Sequence, residues 1–97
     1  MLDSNTYKFS ARDGTKYLTC NGVEVKEERL EPDWGWYGYN VSRTAYEILK
    51  IEYGVKTANQ YFSRFAREYL AEITSDEFVW TSGNIEVMLG EMEKKHG

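Results

Sequence analysis

Two dipeptides, Asp13-Gly14 and Asn21-Gly22, constrain this chain more than any other feature. Glycine, Asn and Asp tolerate the positive φ of a primed two-residue hairpin turn. Two-residue loops at both places set Arg12 opposite Thr15 and Cys20 opposite Val23. The same counting sets Phe9 opposite Leu18 opposite Val25, and Tyr7 opposite Cys20 opposite Val23. Every apolar side chain then falls on one face, with Lys8, Ser10, Arg12, Thr19, Glu24 and Lys26 on the other or at its rim. Side chains alternate with period two, so a one-residue slip in either hairpin scatters that set. The pattern predicts a three-stranded antiparallel meander with one wet face.

Helical signals follow the meander. Over residues 41–53, Val41, Ala45, Tyr46, Ile48, Leu49, Ile51 and Tyr53 cover well over half a helix's circumference, and only Arg43, Glu47 and Lys50 form a polar stripe. A helix so widely apolar needs packing partners on at least two sides. Asn40 or Ser42 suits its N-cap, and Gly54 suits its C-terminal cap. A second helix, capped by Thr57, shows Ala58, Tyr61, Phe62, Phe65, Ala66, Tyr69, Leu70 and Ile73 at three- and four-residue steps. Phe78-Val79-Trp80 reads as a brief strand at the edge of the N-terminal sheet. Thr81 or Ser82 caps a last helix with Ile85, Met88, Leu89 and Met92 on one face, and Lys94, Lys95 and His96 suit its C-terminal dipole. Fraying is expected at that end.

The expected fold is therefore α+β: a three- to five-stranded antiparallel sheet packed against three helices, as a single domain over residues 1–97. With 97 residues and 41% hydrophobic content, one modest core is what the chain can bury. No stretch approaches the roughly 18 apolar residues of a membrane span, and the start, MLDSNTYKF, has no signal-peptide pattern. A lone Cys20 forms no internal disulfide. These features together predict a cytoplasmic protein.

The inventory of chemical groups argues against catalysis. His96, the one histidine, stands beside the chain end, which leaves no rigid general base and no His-containing metal site. In the hairpin register Cys20 faces the sheet core, where a thiol behaves as a small hydrophobe. Acid pairs such as Glu27/Glu28 and Asp76/Glu77 fall on loops or element ends, and no phosphate-binding glycine loop occurs. The expectation is a non-enzymatic chain with no cofactor and no metal.

Binding is the remaining class. Eight tyrosines and three tryptophans exceed what a core of this size needs, and both types suit interfaces. Residues 34–39 read as a short fourth strand or an irregular turn, with Gly35 and Gly38 allowing unusual backbone angles. The expected partner-binding residues are Trp34, Trp36, Tyr37, Tyr39 and Arg43; packing under the sheet edge is the plainer use of those aromatics. An alternative is a nucleic-acid or nucleotide face built from Arg43, Lys50, Arg64 and Arg67, although Glu47 and Glu68 stand within pairing distance of these bases. The net charge of −4, from 16 acids against 12 bases, makes nucleic acid the weaker partner. The acidic connection Glu27–Asp33 reads more simply as a solvated loop than as a contact for a basic partner. A homodimer or a structural subunit completed by another chain uses the same apolar surface.

The segment Trp34-Gly35-Trp36-Tyr37-Gly38, with Ala45, Ile48 and Leu49 on the helix that follows, resembles a family of small uncharacterised phage, plasmid and archaeal domains. That family carries a Trp-Gly-Tyr-Gly turn, a Ser-Gly-Pro and an Ala-x-Ala-Ile-Leu helix; this chain has Asn40-Val41-Ser42-Arg43 after its turn. Ala58, Tyr61, Phe65 and Glu68 resemble the family's second helix, and Trp80-Thr81 with Ile85 and Leu89 its closing segment. The resemblance brings no established activity. It implies a mobile-element setting, in which a small acidic protein blocks a host protein, for example one of a defence system.

Overall fold

Both hairpins form in the register that the turn dipeptides dictate. In the computed structural model, which describes residues 4–25 and 30–96, Asp13, Gly14, Asn21 and Gly22 all have positive φ, between 52° and 86°. Strand β1 (Thr6–Arg12) pairs with β2 (Thr15–Cys20) so that Tyr7 meets Cys20, Phe9 meets Leu18 and Arg12 meets Thr15. The third strand, β3 (Val23–Glu24), sets Val23 opposite Cys20, and the Val25 N–H donates to the Leu18 carbonyl at 2.9 Å, extending the pairing. Strand β4 (Glu77–Thr81) joins the other side of β1 antiparallel, giving the order β3-β2-β1-β4. Lys26 and the segment Glu27–Arg29 of the acidic connection lie outside the described residues.

The inner face of the sheet is aromatic. Phe9 and Phe78, cross-strand partners, stack at 4.1 Å, and Trp80 meets Phe9 edge-on at 5.1 Å. Helices α1 (Tyr39–Tyr53), α2 (Val55–Phe65) and α3 (Ser82–His96) close this face. Val41, Ala45, Ile48 and Leu49 of α1, Ala58 and Phe65 of α2, and Ile85, Leu89 and Met92 of α3 share one core with Tyr7, Phe9, Leu18 and Val25. The α+β fold of four strands and three helices follows from these faces.

The starts of the first two helices depart from the sequence expectation. Helix α1 begins at Tyr39, after an extended Gly38, and neither Asn40 nor Ser42 caps it. Gly54, with φ 94°, donates to the Lys50 carbonyl and accepts from Ala58 N–H, so one glycine ends α1 and starts α2 without Thr57 as cap. Gly54 is the expected C-terminal cap of α1, and the cap of α3 also follows the sequence expectation, because Thr81 and Asn84 are close enough in sequence to exchange bonds: Asn84 N–H donates to Thr81 Oγ1 at 3.3 Å and Thr81 N–H to Asn84 Oδ1 at 2.9 Å.

The apolar stripe of the second helix does not run on as one α-helix. After Phe65 it widens into a π-helical turn, Ala66–Leu70, in which the Ala71 N–H reaches the Ala66 carbonyl at 2.8 Å. Local π-turns of this kind insert an extra residue and re-aim the side chains they carry. Arg67 lies on this turn.

A partly buried carboxylate ties the layers together. Glu52 Oε2 accepts from Asn5 Nδ2 at 2.7 Å, Tyr7 OH at 2.7 Å and Ser82 Oγ at 3.0 Å, joining α1 to β1 and to the start of α3.

Candidate functional site

The aromatic turn, residues 34–38, is an irregular connection between the sheet and α1 and contains no strand. Its first residue is a correction. Trp34, expected at a partner surface, is only 2% exposed: its ring meets Phe9 and Phe78 edge-on, each at 5.4 Å, and its Nε1–H donates to the Ser75 carbonyl at 3.2 Å. It is the core anchor of the turn. Gly35, with φ 91°, then reverses the chain, and its N–H donates to the Leu70 carbonyl at 2.9 Å; a Cβ there would lie 3.1 Å from the Ile73 carbonyl oxygen. The turn is thereby docked on the end of the π-helical segment.

The next aromatics point outward. Trp36 is 51% exposed, Tyr37 46% and Tyr39 66%, so these three of the expected partner-binding residues lie at the surface. Exposed side chains of this size usually move freely, but two of these are tied. Trp36 Nε1–H donates to Asp33 Oδ2 at 2.7 Å, and its ring covers Gly38 so closely that no Cβ would fit there. The Tyr37 hydroxyl lies 3.0 Å from Ser63 Oγ on α2. Hydrogen bonds with Ser63 and Ser42, and the nearby Arg67 charge, hold that hydroxyl below the ordinary tyrosine range.

Asp33 organises this arrangement. Its Oδ1 accepts from Lys16 Nζ at 2.5 Å and from Trp34 N–H at 2.8 Å, while its own N–H donates to Thr44 Oγ1 at 3.0 Å. Lys16 also donates to the Trp34 carbonyl at 2.7 Å. Between the β1–β2 hairpin and the turn, Lys16, Asp33 and Trp36, with Glu31, Pro32 and Asn40, line an open groove of about 300 Å³. Lys16, Asp33 and Ser63 escaped the sequence reading. Only Asp33 carried a local signal, three residues before Trp36; Lys16 and Ser63 reach the turn from distant elements.

The four expected cations do not line up as one face. Arg43 lies 4.3 Å over the Tyr46 ring and 6.0 Å from that of Phe62; Lys50 pairs with Glu47 at 3.2 Å and approaches Tyr46 at 5.7 Å. Arg64 is 5.5 Å over Tyr61, whose hydroxyl donates to Glu93 at 2.9 Å. Arg67 is 5.5 Å over Tyr37. Of the four, only Arg67 stacks on a residue of the aromatic turn. The guanidinium of Arg43, the fifth expected partner-binding residue, lies between Tyr46 of α1 and Phe62 of α2.

Among the described residues, no group of three or more His, Cys, Asp or Glu side chains stands close enough to hold a metal ion, and no helix is long and apolar enough to cross a membrane. Cys20, half-buried beside Tyr7, has its thiol pushed above the ordinary value by burial. The chain matches no family model, no curated protein and no solved structure.

Proposed function

We propose that this chain is a non-enzymatic protein-binding module that docks a partner protein on Trp36, Tyr37 and Tyr39. One observation carries the reading: large amphipathic rings stand open to solvent, and two of them are already held in place, by Asp33 and by Ser63. A rigid aromatic offers contact area without the ordering cost that a mobile side chain incurs on binding. Tryptophan and tyrosine are also the residue types that most often dominate binding energy. Under the resemblance to phage and plasmid domains, the partner would be a host protein and the module its inhibitor. A second copy of the chain is the homodimeric variant of the same reading.

The test is a capture from bacterial and archaeal lysates with the tagged chain, followed by reconstitution with the purified captured protein and calorimetry. The complex is expected at fixed stoichiometry, weakened about 100-fold or more by combined Trp36→Ala, Tyr37→Ala and Tyr39→Ala changes. Circular dichroism must first show that variant folded. Undiminished binding by the folded variant would remove the aromatic turn from the interface. Light scattering over a wide concentration range reads the homodimeric variant, which a strict monomer rejects.

A further inference from the structure

We infer that the partner protein meets this patch with an acidic residue, whose carboxylate seats on the guanidinium of Arg67 beside the Tyr37 ring. The inference rests on the reading of the aromatic turn as a docking surface and specifies the chemistry of what docks.

Arg67 is exposed, and among the described residues no carboxylate pairs with it, whereas Lys16 and Lys50 have Asp33 and Glu47. Its guanidinium lies 5.5 Å over the Tyr37 ring, and that ring is fixed through Ser63. A guanidinium held against an aromatic face keeps its planar N–H edge available, in the geometry that a carboxylate accepts bidentately. Ser63 and Arg67 stand four residues apart, which puts both on the side of the helix that faces Tyr37.

A carboxylate fits this position better than a phosphate chain. On its hairpin side the same turn borders the groove lined by Glu31 and Asp33, and the whole chain carries a net charge of −4. A polyanion crossing Trp36 would meet those acids, and the other bases that could follow its phosphates are stacked on Tyr46 and Tyr61. A folded partner or a peptide can place one acid on Arg67 and uncharged surface elsewhere.

The experiment is a display selection of random linear peptides on the intact chain, repeated on Trp36→Ala, Tyr39→Ala and Arg67→Glu variants of verified fold. Peptides that need Trp36 and Tyr39 are expected to be enriched in Asp or Glu, and Arg67→Glu should enrich Lys or Arg in their place. A synthetic peptide from the first pool should lose about tenfold in affinity on Arg67→Glu and regain it when its acid is changed to lysine. Peptides that depend on Trp36 but show no acidic enrichment, or bind Arg67→Glu equally well, overturn the inference and leave the docking surface standing. A selection that yields no binder sensitive to Trp36 or Tyr39 overturns the docking reading itself. Single-stranded oligonucleotide binding that falls steeply with salt and disappears in Arg67→Glu reassigns Arg67 to phosphate and overturns the inference.

Discussion

The indole Nε1–H of Trp36 donates to Oδ2 of Asp33 at 2.7 Å, which fixes a ring that solvent reaches over half its surface. The other oxygen of that carboxylate holds Lys16 and the Trp34 N–H, so one side chain secures both the buried and the exposed tryptophan. Replacing Asp33 by Ala leaves these donors without their acceptor. The expected cost is about 1–3 kcal/mol, read as a lower urea midpoint. Faster depolarisation of tryptophan fluorescence should accompany it as the Trp36 ring is released. Unchanged depolarisation would mean that packing, and not this bond, holds the ring.

Gly38 is extended, with φ −174°, so its backbone suits any residue; its constraint is steric. A Cβ there would sit 1.9 Å from Cζ3 of Trp36. Gly38→Ala should therefore expel the Trp36 ring and destabilise the fold by about 1–3 kcal/mol. In a Trp36→Ala background the same change should cost almost nothing, giving a non-additive double-mutant cycle. Equal costs in the two backgrounds would place the origin of the effect in the start of α1.

Burial, with Glu52 close by, pushes the Tyr7 hydroxyl far above the ordinary tyrosine value of 10.0, and Tyr53, Tyr61 and Tyr69 are raised as well. The folded chain therefore keeps protons that the unfolded chain releases above about pH 10. Stability is full below that pH and falls as the pH rises past it. Tyr37, lowered, acts in the opposite sense but alone. Urea midpoints measured from pH 8 to pH 11 should decline at the alkaline end, and the decline should be shallower in Tyr7→Phe; an identical slope would rule Tyr7 out as its source. At neutral pH, Glu52→Ala strands the Tyr7 hydroxyl in the core, a cost of about 1–3 kcal/mol.

What could be foreseen here depended on range along the chain. The hairpin register followed from adjacent residues, because Asp13-Gly14 and Asn21-Gly22 adopt the positive φ that two-residue turns require. The apolar stripes of α1 to α3 followed from helical spacing, and β4 from an apolar run of the right length. Helix starts failed at Gly38 and Gly54: α1 begins directly after an extended Gly38, ahead of the caps that Asn40 and Ser42 offered, and Gly54, with its positive φ, starts α2 ahead of Thr57. The π-helical turn was invisible because apolar residues three and four apart suit an unbroken α-helix equally well.

The sequence by itself determined the register of the hairpins, the three amphipathic helices and the position of an aromatic, glycine-punctuated turn, because each depends on local backbone geometry and side-chain period; Val23, expected on the dry face, is 69% exposed because only the two-residue β3 carries it at the sheet edge. Tertiary structure alone decided that Trp34 is core and Trp36 is surface. The two share a residue type and stand two apart, but Gly35 turns the chain between them, Phe9 and Phe78 take up the first ring, and Asp33 holds the second outside. It also decided that Arg67, and not the set of four cations, borders the aromatic turn. Those outcomes depend on bonds across 17 residues from Lys16 to Asp33, 26 from Tyr37 to Ser63 and 41 from Trp34 to Ser75, and no local pattern encodes partners at such separations.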